Sequence, residues 1–382
     1  MSTMKSHLDQ VPHLLKGVAA VFPGNVGYSF SRVPAWAYER LADYPMVKFP
    51  IENGSGVRLQ FSTTASRVVV SMVLTEIVMG EMPPQPVAAA VVIDGVTVSY
   101  PFAFVGNTIN PIKPTGGSFS GKPSMISFTL DESNAPHEVE VWLPQNCSAT
   151  IVGLDADAPL EPISDTRPKW VHYGSSISHA GEADGPLGVW PVIAAKKLGL
   201  DIYNLGIAGQ AQLDHFAAKT IVEQAPDLIS LKVGINTVNA NSLNSRTFPF
   251  ALHGFLDVIR EDLPNVPILV STAIFCPPHE EGVGPTVFNP ELGKAFASPT
   301  PKELFTSTLN LRMTRELVTS VIEFRQPSDK YLFLMSGLDI FSADDQADLP
   351  DDLHPNAAGY KRMGERFAAH PKVANWLQSQ DR

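Results

Sequence analysis

The sequence is poor in cysteine. Cys147 and Cys276 are the only two in 382 residues, too few for a disulfide-scaffolded small domain or a four-cysteine zinc site. Two reduced structural thiols in a reducing compartment are expected. No apolar run reaches the roughly 18 residues that a bilayer-spanning helix needs. The first residues carry Lys5, His7, Asp9 and His13 ahead of only a short apolar stretch at 18–22. A secretory signal would need a charged start, a longer apolar core and a small-residue cleavage site. The chain therefore reads as soluble and cytoplasmic, without membrane insertion. An excess of positive charge is also missing. With 28 basic against 39 acidic residues and a net charge of −11, the surface suits neither nucleic acid nor an anionic membrane as main partner. There is no His-Glu-x-x-His and no Cys-x-x-Cys, so neither a metal nor an organic cofactor is expected. Internal repeats and low-complexity tracts are absent.

What is present is core-forming. The chain is 44% hydrophobic and 18% charged, with 33 prolines and 27 glycines, a composition of packed domains with many turns. Its length suits two domains better than one. Residues 1–44 read as an N-terminal extension with a short helix candidate at 34–43. From Val47 to Leu154 the pattern is β: Val57-Arg58-Leu59-Gln60-Phe61, Met125-Ile126-Ser127-Phe128-Thr129-Leu130 and Glu138-Val139-Glu140-Val141-Trp142 alternate with period two, the mark of strands with one buried and one wet face. Asp94-Gly95 between two valine-rich runs signals a hairpin, because both residues tolerate positive φ. Residues 45–155 are expected to form an antiparallel, jelly-roll-like β-sandwich. Residues 156–168, acidic and punctuated by proline, suit a linker.

After 168 the pattern changes. Apolar runs at 170–173, 202–205, 228–233, 268–275 and 331–335 alternate with helix-length segments at 187–198, 211–224, 248–261, 302–324 and 357–368. Continuous apolar strands between helices predict a parallel five-stranded sheet covered on both faces, an α/β domain over 169–382. Between 276 and 301 runs a Gly/Pro-rich stretch too long for a plain connector, a length associated with functional or mobile loops.

Ligands gather at the carboxyl ends of strands in such sheets. The residues just past the predicted strands are Gly174-Ser175-Ser176-Ile177-Ser178, Gly206-Ile207-Ala208-Gly209-Gln210 and Gly234-Ile235-Asn236-Thr237, with Asp351-Asp352-Leu353-His354-Pro355 ahead of the last helix. A hydroxyl, an Asp-x-x-His pair, backbone-exposing glycines and an amide on one sheet edge make an inventory for acyl transfer. These segments, together with the wider blocks YGSSIS, NLGIAG, GINT and DDLHPNAAGY, resemble in order the four blocks of the SGNH (GDSL-type) hydrolases. The preceding sandwich resembles a subgroup of GDSL-like esterases and acyltransferases with an N-terminal jelly roll. The resemblance implies Ser176 as nucleophile, His354 as general base and Asp351 as the acid that orients it. It implies an oxyanion hole of the Ser176 and Gly209 backbone N–H groups and the Asn236 amide. The family's Gly-Asp-Ser is here Gly174-Ser175-Ser176 and its Gly-x-Asn-Asp is Gly-Ile-Asn236-Thr237; neither missing aspartate is the partner of the histidine. No Gly-x-Ser-x-Gly occurs, which excludes an α/β-hydrolase elbow.

Plainer readings stand beside these. A serine after a strand commonly caps a helix, and His354 ahead of Pro355 could do the same. Asp351 lies among acidic neighbours, of which Asp352 is a rival. His172, within the first strand, reads as a packed core residue, and Trp190 as core or as an acyl-pocket wall. His179 either lines the pocket or faces water. Gln210 and His279 complete the candidates for substrate contact, with Glu280 and Phe288 from the long loop. The expected function is a serine esterase acting on a small-molecule or carbohydrate-like ester, possible substrates including a glycoside or natural-product ester. Acyl transfer to an alcohol is the first alternative, and a non-catalytic glycan-binding module is the alternative of another class.

Overall fold

A computed structural model of the chain describes residues 3–78, 86–102, 104–110, 117–131, 135–298 and 307–379. The chain divides into two compact units: 1–166 with 184–187, and 167–183 with 188–382.

The first unit contains an eight-stranded and a six-stranded sheet. Among the described residues its strand pairs are antiparallel, except Arg67–Ile77 with Asn107–Ile109. Strand Arg67–Ile77 runs between Ser124–Thr129 and Ser148–Ala156, and its burial alternates residue by residue. Val68, Val70, Met72 and Leu74 point inward and meet Leu59, Phe61, Val139 and Val141 of the other sheet in one apolar cluster. Period-two patterning thus produces two half-buried faces that can only be hidden against each other. Strands Val87–Ile93 and Val96–Phe102 form the expected hairpin, with positive φ at both Asp94 and Gly95.

Several expectations are corrected here. The first 44 residues do not stand apart as an extension. Lys5–Ser6 pairs with Ser148–Ala156, Leu15–Lys16 with Arg58–Thr63, and Ala20–Pro23 with Tyr28–Ser31, which joins the larger sheet. Strands of two to four residues are too short to show an alternation, so their partners, not their own sequence, define them. The helix candidate at 34–43 is confined to Ala35–Arg40, and Pro45–Glu52 is helical where a strand pattern was read from Val47. In the presumed linker, Leu160–Pro162 pairs with Arg58–Thr63 as a further strand.

The second unit is built on the five-stranded parallel sheet. Its order is Asp201–Gly206, Lys169–Gly174, Leu228–Lys232, Ile268–Ser271, Leu332–Met335. Nearly every residue of the first four of these strands is buried, as a sheet covered on both faces requires. Trp170 stacks on Phe367 and meets Trp376 edge-on, while Tyr173, three positions later and so on the opposite face, stacks on Phe255. Helices Trp190–Leu198 and Ala357–Ala369 pack together. So do His215–Glu223, Thr247–Asp262 and Leu311–Arg325 in consecutive pairs. The helix expected at 302–324 begins at Leu311, where the Asn310 side chain caps it; residues 302–306 lie outside the described residues. A further helix, Pro371–Gln378, follows the last predicted one. The 276–301 stretch is not structureless: it holds a short helix, Pro277–Glu280, and the hairpin Thr286–Asn289/Lys294–Ala297, with 299–301 outside the described residues. No helix among the described residues is long and apolar enough to cross a membrane.

Candidate active site

Sheet register brings the strand ends to one edge. Gly174 pairs with Gly206 on one side and with Lys232 on the other. The loops that follow these strands therefore share a rim. The first strand turns directly into the short helix Ser176–His179, whose N-cap is Ser175; the Ser175 hydroxyl accepts from the Ile177 N–H at 3.3 Å. The capping role that a serine here could fill thus falls to Ser175. Ser176 is half-buried, whereas Gly174, Ser175, Ile177, Ser178 and His179 are all buried. Gly206 allows the second strand to approach closely: a Cβ on it would lie 2.4 Å from the His179 backbone nitrogen.

His354 arrives on the loop ahead of helix Ala357–Ala369. Its Nε2 lies 2.9 Å from Ser176 Oγ, and its Nδ1 lies 2.7 Å from Asp351 Oδ2. The other Asp351 oxygen accepts from the backbone N–H groups of Leu353 and His354, at 2.9 and 2.7 Å. One carboxylate therefore fixes both the loop and the ring. The helix is capped by Asn356, whose side chain accepts from Gly359 N–H at 2.9 Å, leaving the imidazole free of capping. Asp352 turns away in a positive-φ conformation and pairs with Lys294 at 2.8 Å.

The charges are unequal partners. Burial pushes the Asp351 carboxyl upward, but the hydrogen bond and charge of His354 and the two backbone donors outweigh it and hold its pKa at about 2. For His354 burial disfavours the charged form, yet the charge of Glu182 and the hydrogen bond and charge of Asp351 prevail and raise its pKa to about 9. Glu182 was not singled out from the sequence. It follows the Ser176 block without any motif, and only the fold brings its carboxylate within 3.8 Å of His354 Nδ1.

Three donors lack acceptors among the described residues. Gly209 is exposed with φ +71°, a conformation that costs glycine nothing. Neither its N–H nor that of Ser176 donates to a group among the described residues. Asn236 is buried in helix Ile235–Asn239, and its Oδ1 accepts from the Ala211 N–H at 3.0 Å. That bond orients the amide and leaves Nδ2 without a partner among the described residues. Free, preoriented N–H groups are what a developing oxyanion needs.

The structure places most other candidates in the interior, which corrects their reading as substrate contacts. Trp190 is buried, with its indole packed edge-on at 4.8 Å against the His172 ring. His179 is buried in the same short helix as Ser176 and does not face water. His279 is fully buried, its ring nitrogens engaged by Gly282 O at 3.2 Å and Thr286 Oγ1 at 2.7 Å. It pins the hairpin to Asn239, which accepts from Thr286 at 2.9 Å. Glu280 is taken by Arg315 through two bonds of 2.7 and 2.8 Å. His172 is the core residue its position predicts, bonded to Ser230 and Ser178. Gln210 is half-buried and Phe288 exposed on the hairpin. Among the described residues no three His, Cys, Asp or Glu side chains converge as a metal site.

The model of the GDSL-like Lipase/Acylhydrolase family matches residues 172–362. No curated protein matches the chain. Among solved structures, a salicylyl-acyltransferase from a tetracycline biosynthetic pathway is 22% identical, with 98% of this chain and 97% of that one covered at a TM-score of 0.77. A putative GDSL-like lipase from Bacteroides ovatus is 18% identical over 99% and 98% of the two chains, TM-score 0.66. An acetyl xylan esterase from the rumen bacterium Butyrivibrio proteoclasticus is 12% identical over 99% of each, TM-score 0.53. At these identities the likeness is one of fold, and it spans both units.

Proposed function

The chain belongs to the GDSL-like lipase/acylhydrolase family, and from that premise we propose that it is a serine esterase acting through an acyl-Ser176 intermediate. Family and fold support acyl hydrolysis or transfer in general. The observation that carries the finer reading is the continuous relay from Ser176 Oγ through His354 to Asp351, with contacts of 2.9 and 2.7 Å. Ser176 attacks the ester carbonyl while His354 Nε2 takes its proton. Asp351 keeps the ring proton on Nδ1 and stabilises the imidazolium. The Ser176 and Gly209 N–H groups and the Asn236 amide receive the oxyanion. Collapse of the intermediate expels the alcohol, which takes the proton back from His354, and water activated by the same base then releases the acid. The substrate class that fits is a small-molecule ester on a carbohydrate-like or natural-product alcohol, in keeping with what the named neighbours act on.

Transfer to an alcohol is the second reading, favoured by the near-complete coverage of this chain by an acyltransferase. An activated short-chain ester offered with a panel of alcohols and sugars separates the two: free acid alone marks hydrolysis, and a new ester product marks transfer. The test of the shared step is a fluorophosphonate probe. It is expected to label Ser176 and to leave Ser176→Ala unlabelled; wild-type protein that stays unlabelled overturns the enzyme reading.

A further inference from the structure

The relay just described leaves one neighbouring carboxylate without a task. Glu182 Oε1 lies 3.8 Å from His354 Nδ1, on the side already occupied by Asp351. Its Oε2 accepts the Tyr360 hydroxyl at 2.8 Å. Tyr360 is fully buried in helix Ala357–Ala369. Burial first, and the charge of Glu182 next, push its phenol well above the ordinary tyrosine range, so it remains a hydrogen-bond donor throughout. Resting on the reading of His354 as general base, we infer that Glu182, held in place by Tyr360, is a positioning residue that orients the imidazole alongside Asp351 and tunes its proton affinity.

The charges around the ring support this assignment. His354 is faced by Asp351 from its own loop, Ser176 from the short helix and Glu182 from the turn after that helix, Glu182 being held in turn by Tyr360 of the following helix. Beyond Asp351 stands the Cys276 thiol, its pKa pushed up to about 12 by burial and then by Glu280 and Asp351. The remaining nearby acids are neutralised: Asp352 by Lys294 at 2.8 Å and Glu280 by Arg315 at 2.7 Å. Glu182 has no basic side chain other than His354 paired with it among the described residues. Its charge therefore acts on the imidazole, where like Asp351 it favours the imidazolium. A base so placed is silent below its raised pKa and becomes competent as pH climbs through it. Removing the Glu182 charge lowers that pKa, and the acid limb of the reaction must move to lower pH.

The experiment measures the rate of fluorophosphonate labelling of Ser176 from about pH 6 to about pH 10, spanning the histidine range. Glu182→Gln is expected to move the acid limb down by about one pH unit. It then labels several-fold faster than wild type at neutral pH, with an alkaline plateau at or below the wild-type level. Tyr360→Phe is expected to move the limb the same way by less, because the carboxylate stays but is no longer held. A purely structural role would lower the plateau and leave the limb in place, so superimposed limbs for Glu182→Gln and wild type overturn the inference. NMR titration of the His354 ring in a Ser176→Ala background, with and without Glu182→Gln, reads the same shift without turnover, and coincident titrations also overturn it. Should wild-type protein resist labelling at every pH, the acyl-serine reading fails, while the NMR titration still decides the part played by Glu182.

Discussion

His172 and His354 each hold Nε2 within hydrogen-bonding distance of a serine hydroxyl, 2.8 Å from Ser178 in one case and 2.9 Å from Ser176 in the other. Both serines belong to the same four-residue helix. The second ring nitrogens part the two. For His354, Nδ1 donates to a carboxylate, so in the neutral ring Nε2 keeps a lone pair for the Ser176 proton. For His172, Nδ1 meets the Ser230 hydroxyl at 2.6 Å, and that oxygen already accepts the Trp170 indole N–H at 2.8 Å. When Ser230 gives its own proton to Nδ1, the ring proton sits on Nε2 and points at Ser178. The surroundings diverge in the same sense. Burial, reinforced by the charge of Lys232, drives His172 well below the ordinary histidine range. For His354 two carboxylates overcome burial and lift it to about 9. Distance to a serine makes a contact; tautomer and neighbouring charge decide whether the contact can move a proton.

The largest effects should separate the two pairs. His354→Ala is expected to cut turnover by about 10⁶-fold and Asp351→Asn by about 10⁴-fold, since the acid orients and does not itself carry the proton. His172→Ala should do the reverse: it opens a cavity and strands the Ser178, Ser230 and Trp170 partners, lowering stability by about 2–4 kcal/mol while folded protein keeps turnover within about tenfold of wild type. Steady-state kinetics beside calorimetry on the three variants reads both axes, and the comparison breaks if His172→Ala is as inactive as His354→Ala. One step down in size, Asn236→Ala removes a single oxyanion donor and should lower kcat by about 10²–10³-fold with KM little changed. A loss confined to KM would place Asn236 in substrate binding instead.

The two units differ in how much of this was legible. The parallel sheet was, because strands covered on both faces must be continuous apolar runs, and the glycines and polar residues after them fall where ligands gather. So was the Asp-x-x-His spacing, which is local. The resemblance chose Ser176 over Ser175 and Asp351 over Asp352, but the physical reason, which side chain is spent on a cap or on an ion pair with a distant lysine, is not written there: no short window of sequence contains Lys294. The opening strands of the sandwich were invisible for the same reason: Lys5–Ser6 is a strand only because Ser148–Ala156 lies beside it. Glu182 belongs to this class. Its partner Tyr360 lies almost half the chain away, and a pairing at that separation leaves no periodicity. His279 erred in the other direction: a histidine in a glycine-rich loop suggests chemistry, but here its ring is the buried peg that holds the loop's hairpin.

The smallest expected effect tests the core side of the comparison. Lys232 ends the third strand, its side chain fully buried, and burial drags its pKa down to about 7. The unfolded chain keeps an ordinary lysine near 10.4, so between about 7 and about 10.4 it binds more protons than the folded form, and stability rises with pH across that window. Below the window the charged ammonium is buried at full cost. Lys232→Met keeps the length of the side chain and removes that cost, and it is expected to stabilise the protein by roughly 1–3 kcal/mol at neutral pH. The gain should shrink toward pH 10 as the wild-type lysine folds without its proton. Thermal melts of both proteins at neutral and alkaline pH measure the difference. Labelling of Ser176 should persist within a few-fold, because Lys232 acts on His172 and not on His354. Collapse of labelling with stability unchanged would mean that the lysine serves the rim and not the core, and the division between the two serine–histidine pairs would then have to be redrawn to include it.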